Sequence, residues 1–552
     1  MKVLIIGGVA GGASAAARLR RLDESAEIIM FERGGYISFA NCGLPYYVGG
    51  SITEKSALTL QTPDSFRQRF NVDVRIWQEV IAIHPERQAI SVRRLDQGDI
   101  YEESYDRLLL SPGAEAKRPP LPGIDHPRIF TLRNIPDAYR LRDQAVAENN
   151  RRAVIIGGGY IGMEMAESLN RAGLSVIVIE RSHQVLPQLD YDMACGVQNY
   201  LRDQGITLLL QRSISGFREM GDGVAVLLGA DEIPADIVLL AIGVKPESGL
   251  AQAAGLEIDS KGCIVVNRHL QTSDPNIYAV GDAIQVRNFV TGQPAFIPLA
   301  GPANKQGRLA ADHIAGLAAE YQGTQGSSIL KLFDMTVATT GINESEARLA
   351  GLDYDKVFTH PVSHASYYPG FTNMTIKTIF EKSSGKILGA QLFGFEGVDK
   401  RCDVMATAIR AGMRAKDLTE LELCYAPPFS SAKDPVNMIG YVIENLLKGL
   451  VHQYHWDQVD ALPRDGSLNL IDTRPSALYR RGHIDGFKNI PLDQLRQRME
   501  EIDPEKPVWL NCQTALTSYI SCRILMQHGY DCRHLSGAYR LYEMIATNRS
   551  NL

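Results

Sequence analysis

Two stretches of the chain repeat one pattern of apolar, small and acidic positions. Lys2–Ile6 is aliphatic after its first residue, and Gly7-Gly8-Val9-Ala10-Gly11-Gly12 follows. Ala13–Leu22 is then rich in Ala, Leu and Arg, which are good helix formers. A second apolar run, Glu27–Phe31, closes at Glu32. The order returns at Ala153–Ile156, Gly157-Gly158-Gly159-Tyr160-Ile161-Gly162, a helical stretch to Ala172, and Ser175–Ile179 closing at Glu180. Short apolar runs bounded by glycine read as strands buried on both faces of a parallel sheet. The pattern therefore predicts strand, glycine turn, helix, strand and acid, twice over: the opening βαβ unit of a dinucleotide-binding domain in two copies.

Further runs extend the picture. Tyr105–Leu110, before Ser111-Pro112-Gly113, and Asp236–Ala241, before Ile242-Gly243, read as strands leading from one nucleotide domain toward another. Ile277–Val280 reads as a strand ending in the acidic turn Gly281-Asp282. From about Thr324 the pattern changes to strands at Val337–Thr340, Thr375–Phe380 and Ile387–Phe393 with a helix at Arg401–Ala411, an α+β module. Leu447–Leu462, containing Trp456, reads as a connector. Beyond it lie a strand at Leu468–Asp472, an irregular piece at Ile484–Ile490, a strand at Pro507–Asn511 ending in Cys512, and a helix at Thr517–His528.

Composition narrows the classes. The 552 residues predict three or four domains at about 150 residues each. Hydrophobic residues at 45% and charged residues at 22% fit a globular protein. Lys and Arg number 57 against 63 Asp and Glu, a net charge of −6, so no nucleic-acid partner is expected. No apolar run approaches the roughly 18 residues of a membrane span. Met1–Gly8 reads as a buried strand, not a signal peptide, and a cytoplasmic location is expected. The eight cysteines show neither close pairing nor metal-ligand spacing, so thiols or catalytic groups are expected and no metal.

The glycine turns carry the first chemistry. Glycine permits positive φ and lets a pyrophosphate approach the backbone, while the helix start offers free N–H donors. The second turn is complete: Gly157, Gly159 and Gly162, with Tyr160 and Ile161 between them, and Glu180 eighteen residues past Gly162. An acid there accepts from a ribose diol and repels a 2′-phosphate, so NADH is expected. In the first turn Gly7, Gly11 and Gly12 stand with Val9 at the middle glycine position and Ala10 beside it, and Glu32 and Arg33 close the unit. Asp282 after Gly281 offers a carboxylate for ribityl hydroxyls, which assigns FAD to this site. Gly113, Gly243, Pro298 and Ala303 complete the expected cofactor contacts.

Ser38-Phe39-Ala40-Asn41-Cys42-Gly43-Leu44-Pro45-Tyr46-Tyr47 follows the first unit closely. Cys42 at a helix start would gain a dipole that favours its thiolate. On these motifs the chain resembles the flavoprotein disulfide reductase superfamily. Within it, residues 1 to about 447 are similar to the coenzyme A-disulfide reductase and NADH oxidase branch. The remainder resembles a rhodanese domain, through Asp472-Thr473-Arg474, Gly482–Pro491 and Cys512 at a strand end. The whole looks like the fused coenzyme A-disulfide reductase–rhodanese proteins, among them NADH-dependent persulfide and polysulfide reductases.

Departures within the resemblance sharpen it. Glutathione-reductase-like relatives carry Cys-x4-Cys, but Ile37 and Tyr47 stand where a partner of Cys42 would be. NADH peroxidases carry a His in the first glycine turn, absent here, which favours a thiol partner over peroxide. The resemblance implies a coenzyme A pocket of Ser14, Arg18, Arg21, Ser38, Asn41, Arg67 or Arg69, and Lys433. It also implies a homodimer in which Tyr367 and Tyr425 cross to the partner's cysteine and serve as acids for the leaving group. A solvated charged face for the arginines, and interface packing for the tyrosines, are the plainer alternatives. The rhodanese loop reads Cys512-Gln513-Thr514-Ala515-Leu516-Thr517 where the family favours Cys-x-x-Gly-x-Arg. That weighs against thiosulfate and favours a persulfide-accepting Cys512, with a purely structural domain as the alternative.

The expected fold class is α/β: two Rossmann-like dinucleotide-binding domains, an α+β dimerisation domain and a C-terminal rhodanese-like α/β domain. The expected division is FAD domain 1–113 and 243–323, NADH domain 114–242, dimerisation domain 324–447, linker 448–462 and rhodanese-like domain 463–552. The expected reaction carries electrons from NADH through FAD to Cys42, resting as a mixed disulfide with coenzyme A or as a persulfide. The freed thiolate attacks coenzyme A disulfide, or the outer sulfur of a persulfide or polysulfide, and thiol or hydrogen sulfide leaves. Cys512 carries sulfane sulfur. Rival readings are an NADH oxidase with oxygen reacting at the flavin, and a rhodanese part acting only as a binding or sulfur-relay module.

Overall fold

Lys2–Ile6 becomes the middle strand of a five-stranded parallel sheet. Its order is Ile277–Ala279, Arg107–Leu110, Lys2–Ile6, Glu27–Glu32, Asp73–Ile76. Val3, Leu4 and Ile5 lose all exposure, as a strand covered on both faces must. Arg152–Ile156 is likewise central to a second parallel sheet, ordered Thr207–Leu210, Ser175–Glu180, Arg152–Ile156, Ile237–Leu240, Ile129–Phe130. Lys2 pairs with Glu27 as Arg152 pairs with Ser175, so the two copies share one register.

This computed structural model describes residues 1–551, in two compact units. Met1–Val185 with Gly205–Gly326 forms the first, and Leu186–Gln204 with Ser327–Leu552 the second. The first holds both parallel sheets and four small antiparallel ones. Its glycine turns show why the residue is required. Gly7 and Gly157 have φ of +95° and +108°. A Cβ at Gly12 would lie 1.9 Å from Gly7 O, and one at Gly162 2.1 Å from Gly157 O, so only glycine lets helix and strand meet.

The second unit is built on two sheets. One is antiparallel, ordered Ser328–Leu332, Met335–Gly341, Ile387–Gly394, Thr375–Glu381, Tyr354–Thr359. The other is parallel, ordered Gln453–Tyr454, Cys532–Leu535, Val508–Asn511, Asn469–Asp472, Lys488–Asn489. The segment read as a bare connector thus supplies an edge strand and the short helix Trp456–Val459. Tyr454 explains it: its ring meets Trp509 at 4.5 Å between centroids and its Oη donates to Leu510 O at 3.2 Å. A two-residue strand carries no period to read.

Helix Tyr191–Asp203 also departs from its place in chain order. It lies between two strands of the second parallel sheet in sequence, yet belongs to the second unit. Fully buried Lys377 holds its beginning, with Nζ 2.9 Å from Asp190 Oδ2, 2.8 Å from Asp192 Oδ2 and 2.5 Å from Glu344 Oε1. Lys356 closes on Glu344 as well, at 2.9 Å. Against the cost of burial, these two cations hold the Glu344 carboxyl down to about 2, and the three carboxylates hold the Lys377 ammonium up. No helix of the described residues is long and apolar enough to cross a membrane.

Candidate active site

Cys42 sits in the one-turn 3₁₀ segment Asn41–Gly43, directly before the short helix Leu44–Val48. Its sulfur is open to solvent, but the protein around it is dense. That desolvation pushes the thiol up, the carboxylates of Glu164 and Asp282 push it further, and Arg133 alone pulls it down. Within the chain the net effect favours the thiol, chiefly through burial, with the Glu164 and Asp282 charges adding to it. In the first unit the other cysteine, Cys263, is buried and forms no disulfide.

Arg133, Glu164 and Tyr46 are the residues the sequence did not single out. In the amide orientation that satisfies both groups, Asn41 accepts from Arg133 Nη1 at 3.1 Å and donates to Arg133 O at 3.2 Å. Arg133 Nη2 also lies 3.6 Å from Asp282 Oδ2, and a Cβ at Gly113 would meet it at 2.8 Å. Arg133 thereby joins Asn41, Asp282 and Gly113. Tyr46 Oη donates to Glu164 Oε1 at 3.4 Å. Burial lifts the Glu164 carboxyl to about 7 and the Tyr46 phenol to about 12. The only signal for Glu164 was its place two residues past Gly162 in the glycine-turn helix, and an exposed-helix acid has the same pattern.

Both glycine turns fit a dinucleotide. The N–H groups of Val9, Ala10 and Gly11 have no acceptor among the described residues, and neither do those of Gly159, Ile161 and Gly162. Each set opens a helix, Ala10–Leu22 or Tyr160–Arg171. A Cβ at Gly159 would meet nothing within 4 Å, which leaves open space ahead of the helix start. The acids are aimed alike. Glu32 accepts from Gly8 N at 3.1 Å and Gly34 N at 2.9 Å; Glu180 accepts from Gly158 N and Ser182 N, both at 2.8 Å. Gly281 donates to Gln306 Oε1 at 2.8 Å, and Ala303 is buried on the same helix as Gln306. Pro298 is half-buried just before that helix, and Gly243 has φ of +97° with its carbonyl accepting from Lys117 N. Arg33 is instead turned to Glu247 Oε1 at 2.6 Å.

The expected coenzyme A residues are only partly free. Ser14 Oγ donates to Asn304 Oδ1 at 2.5 Å, and Arg18 Nε to Asp312 Oδ1 at 2.6 Å, so both are tied to helix Ala300–Ile314. The Nη groups of Arg18 keep no protein partner among the described residues. Arg21 is exposed, and Arg67 pairs with Asp73 at 3.2 Å on the surface. Ser38 holds a left-handed φ of +44°, with its N–H on Gly8 O at 2.8 Å.

In the second unit, Tyr367 and Tyr425 meet hydroxyl to hydroxyl at 2.8 Å although 58 residues apart. They are 74% and 47% exposed, and Phe429 and Lys433, further along the Tyr425 segment, are exposed as well. One phenol donates to the other, and the acceptor's own proton stays available to an outside group. Ala365 N–H on Ser430 O joins their loops, and Arg401 braces the second by donating to Ser430 and Asp434.

Cys512 lies buried at the end of its strand, its Sγ 3.2 Å from Ser518 Oγ. Ser518 in turn lies 3.1 Å from Ala515 O and 3.4 Å from His534 Nδ1. Among the described residues, the N–H groups of Gln513, Thr514, Ala515, Leu516 and Thr517 find no acceptor. They precede and open helix Leu516–Gln527, an arrangement suited to an anionic sulfur. Ala515 keeps the left-handed turn, with φ of +74° and ψ of −19°, although it carries a Cβ. Buried Arg474 pairs with Asp472 at 2.8 Å, stacks on Tyr539 at 3.7 Å and reaches Gln513 Oε1 at 3.3 Å. No three His, Cys, Asp or Glu side chains of the described residues group as metal ligands.

The sequence matches the pyridine nucleotide-disulphide oxidoreductase family over residues 1–307, that family's dimerisation domain over 327–435, and the rhodanese-like domain over 455–544. It is 38% identical over 442 residues to coenzyme A disulfide reductase of Staphylococcus epidermidis, covering 80% of this chain and 99% of that protein. Reduced Bacillus anthracis CoADR-RHD has a similar structure, with a TM-score of 0.97 and 47% identity over 99% of this chain and 98% of that one. An NAD-dependent persulfide reductase from A. fulgidus has a TM-score of 0.91 and 36% identity over 98% and 100% of the two chains.

Proposed function

The chain belongs to the pyridine nucleotide-disulphide oxidoreductase family and is an oxidoreductase using FAD and NAD(P)H; on that premise we propose that it reduces coenzyme A disulfide, coenzyme A persulfide or polysulfide through Cys42, with NADH as donor. One observation carries this reading: an unpaired, solvent-reachable thiol in the same unit as two dinucleotide cradles. When bound, FAD and NADH supply the two electrons that return an oxidised Cys42 to its thiolate.

The first turn, with Glu32 and Asp282, holds FAD; the second, with Glu180, holds NADH. Arg133 bridges Asn41 and Asp282, and it favours the Cys42 thiolate where the neighbouring acids oppose it. The thiolate attacks one sulfur of the disulfide, a Cys42–sulfur bond forms, the substrate's sulfur–sulfur bond breaks, and coenzyme A leaves as its thiolate. With a persulfide, attack on the outer sulfur leaves Cys42 as persulfide, and its reduction releases hydrogen sulfide. In a homodimer, Tyr367 and Tyr425 of the partner subunit would supply the leaving group's proton from their paired hydroxyls. Arg18, through its free Nη groups, Arg21, Arg67 and Lys433 offer positive charge to coenzyme A phosphates. Ser14, Ser38 and Asn41 line the approach. Cys512, followed by five N–H groups without an acceptor among the described residues, carries sulfane sulfur.

Cys42→Ser tests the reading. Turnover of coenzyme A disulfide and persulfide is expected to fall to background while the flavin absorption of the purified protein stays the same. Undiminished turnover in that variant refutes it. Intact mass before and after reduction shows whether coenzyme A or extra sulfur is attached to Cys42 or Cys512.

A further inference from the structure

One contact of the antiparallel sheet with the rhodanese-like fold is made by a histidine. His360 follows strand Tyr354–Thr359, with Nδ1 3.1 Å from Thr375 Oγ1 and Nε2 2.9 Å from Gly537 O. It keeps some open surface, but the protein packed around its ring, and then the charge of Arg540, hold its pKa down to about 4. The ring is therefore neutral near pH 7. A carbonyl can only accept, so Nε2 carries the proton and donates to Gly537 O, and Nδ1 accepts from the Thr375 hydroxyl.

Gly537 stands where helix Ala538–Ser550 begins, with φ of +78° there and +54° at Ala538. A Cβ at Gly537 would lie 3.2 Å from the Cβ of Phe358, so the backbone is pressed against the strand that His360 follows. The first N–H groups of this helix serve the Cys512 loop. Tyr539 N donates to Cys512 O at 2.8 Å and Arg540 N to Gln513 O at 3.2 Å. In a trans peptide the C=O and the following N–H point opposite ways. Holding the Cys512 and Gln513 carbonyls against the helix turns the N–H groups of Gln513 and Thr514 away from it, and these are two of the five without an acceptor.

Resting on the reading of Cys512 as a sulfur carrier, we propose that His360 is a positioning residue for Cys512. By holding Gly537 it sets the helix start that orients the N–H groups of the loop, so the dimerisation domain tunes the rhodanese thiol. Neighbouring bonds keep the two parts in register. Gln453 Nε2 donates to Lys356 O at 2.9 Å, Trp456 Nε1 to Asp192 Oδ2 at 3.1 Å, and Asn199 Nδ2 to Met544 O at 2.8 Å.

The test is iodoacetamide labelling of Cys512 in the full-length holoenzyme from about pH 6 to 10, read by peptide mass spectrometry. In His360→Leu, labelling at neutral pH is expected to slow about three- to tenfold and the profile to move to higher pH, the scale of one lost hydrogen bond. His360→Gln, which keeps a donor at the same reach, restores the profile. Coenzyme A disulfide reduction through Cys42 stays at the wild-type rate. A wild-type profile in His360→Leu, or a wild-type Cys512 that never labels in the folded protein, overturns the proposal. Should His360→Leu not fold, His360→Phe carries the same test: it keeps the ring volume and removes the donor to Gly537 O, and an unchanged profile overturns the proposal. Labelling that responds to His360, in a protein whose Cys512 gains no sulfur mass from coenzyme A persulfide, supports this proposal while refuting the carrier reading.

Discussion

Cys42 is set by its neighbours more than by its own identity. Burial raises its pKa most, Glu164 and Asp282 raise it further and Arg133 lowers it, so the thiolate depends on packing and on three side chains from distant parts of the chain. The sign of one contribution is directly testable. Glu164 acts on the thiol only when ionised, and its own carboxyl titrates at about 7. Glu164→Gln is expected to lower the Cys42 pKa. Alkylation of Cys42 as a function of pH reads that shift, and a shift upward would contradict it. The cysteine and the acids Glu32, Glu180 and Asp282 were legible from their places after strands and turns. Arg133 and Glu164 were not, because a lone charged residue in a loop or on a helix looks the same whether it faces a thiol or water.

The loop after Cys512 shows an element holding a shape against its own residue. Position 515 adopts a left-handed turn that favours glycine, yet the residue is Ala. The helix Leu516–Gln527 after it and the Tyr539 and Arg540 bonds to Cys512 and Gln513 over-determine the turn. Left-handed φ costs an L-residue about 1–2 kcal/mol. Ala515→Gly is therefore expected to stabilise the loop by about 0.5–1 kcal/mol, after the entropy glycine adds to the unfolded chain. A rise in the thermal midpoint of the rhodanese transition checks it; a fall would mean that the turn is not strained. The long parallel strands were legible because four or five aliphatic residues between glycines admit little else. Gln453–Tyr454 was not, since its pairing depends on Tyr454 packing against Trp509 from a strand 55 residues later.

Buried titratable groups give the second unit a defined response to acid. His360 and His534 are both held down to about 4, chiefly by burial, against an ordinary value of 6.5. As pH falls below 6.5 the unfolded chain binds these protons first, so stability is complete above that pH and declines toward 4. The slope is at most about 1.4 kcal/mol per pH unit for each histidine. Glu344, held at about 2 by Lys377 and Lys356, adds stability that is present above 4.5 and is lost between 4.5 and 2. Thermal or denaturant unfolding followed by Trp fluorescence across pH 7 to 4 is expected to show loss beginning near 6.5. Stability constant down to pH 4.5 would show that the two histidines are not buried neutral.

The amino-acid order alone determined the two nucleotide folds, the candidate thiol and the rhodanese-like end. Aliphatic runs, glycine turns and terminal acids act through local geometry, and local geometry is written within a few tens of residues. Tertiary structure alone decided what surrounds those parts. It drew helix Tyr191–Asp203 into the second unit through Lys377, paired Tyr367 with Tyr425, and set His360 against Gly537. Each of those contacts joins residues far apart in the chain, and their energy comes from burial and hydrogen bonding that exist only once the chain has closed on itself.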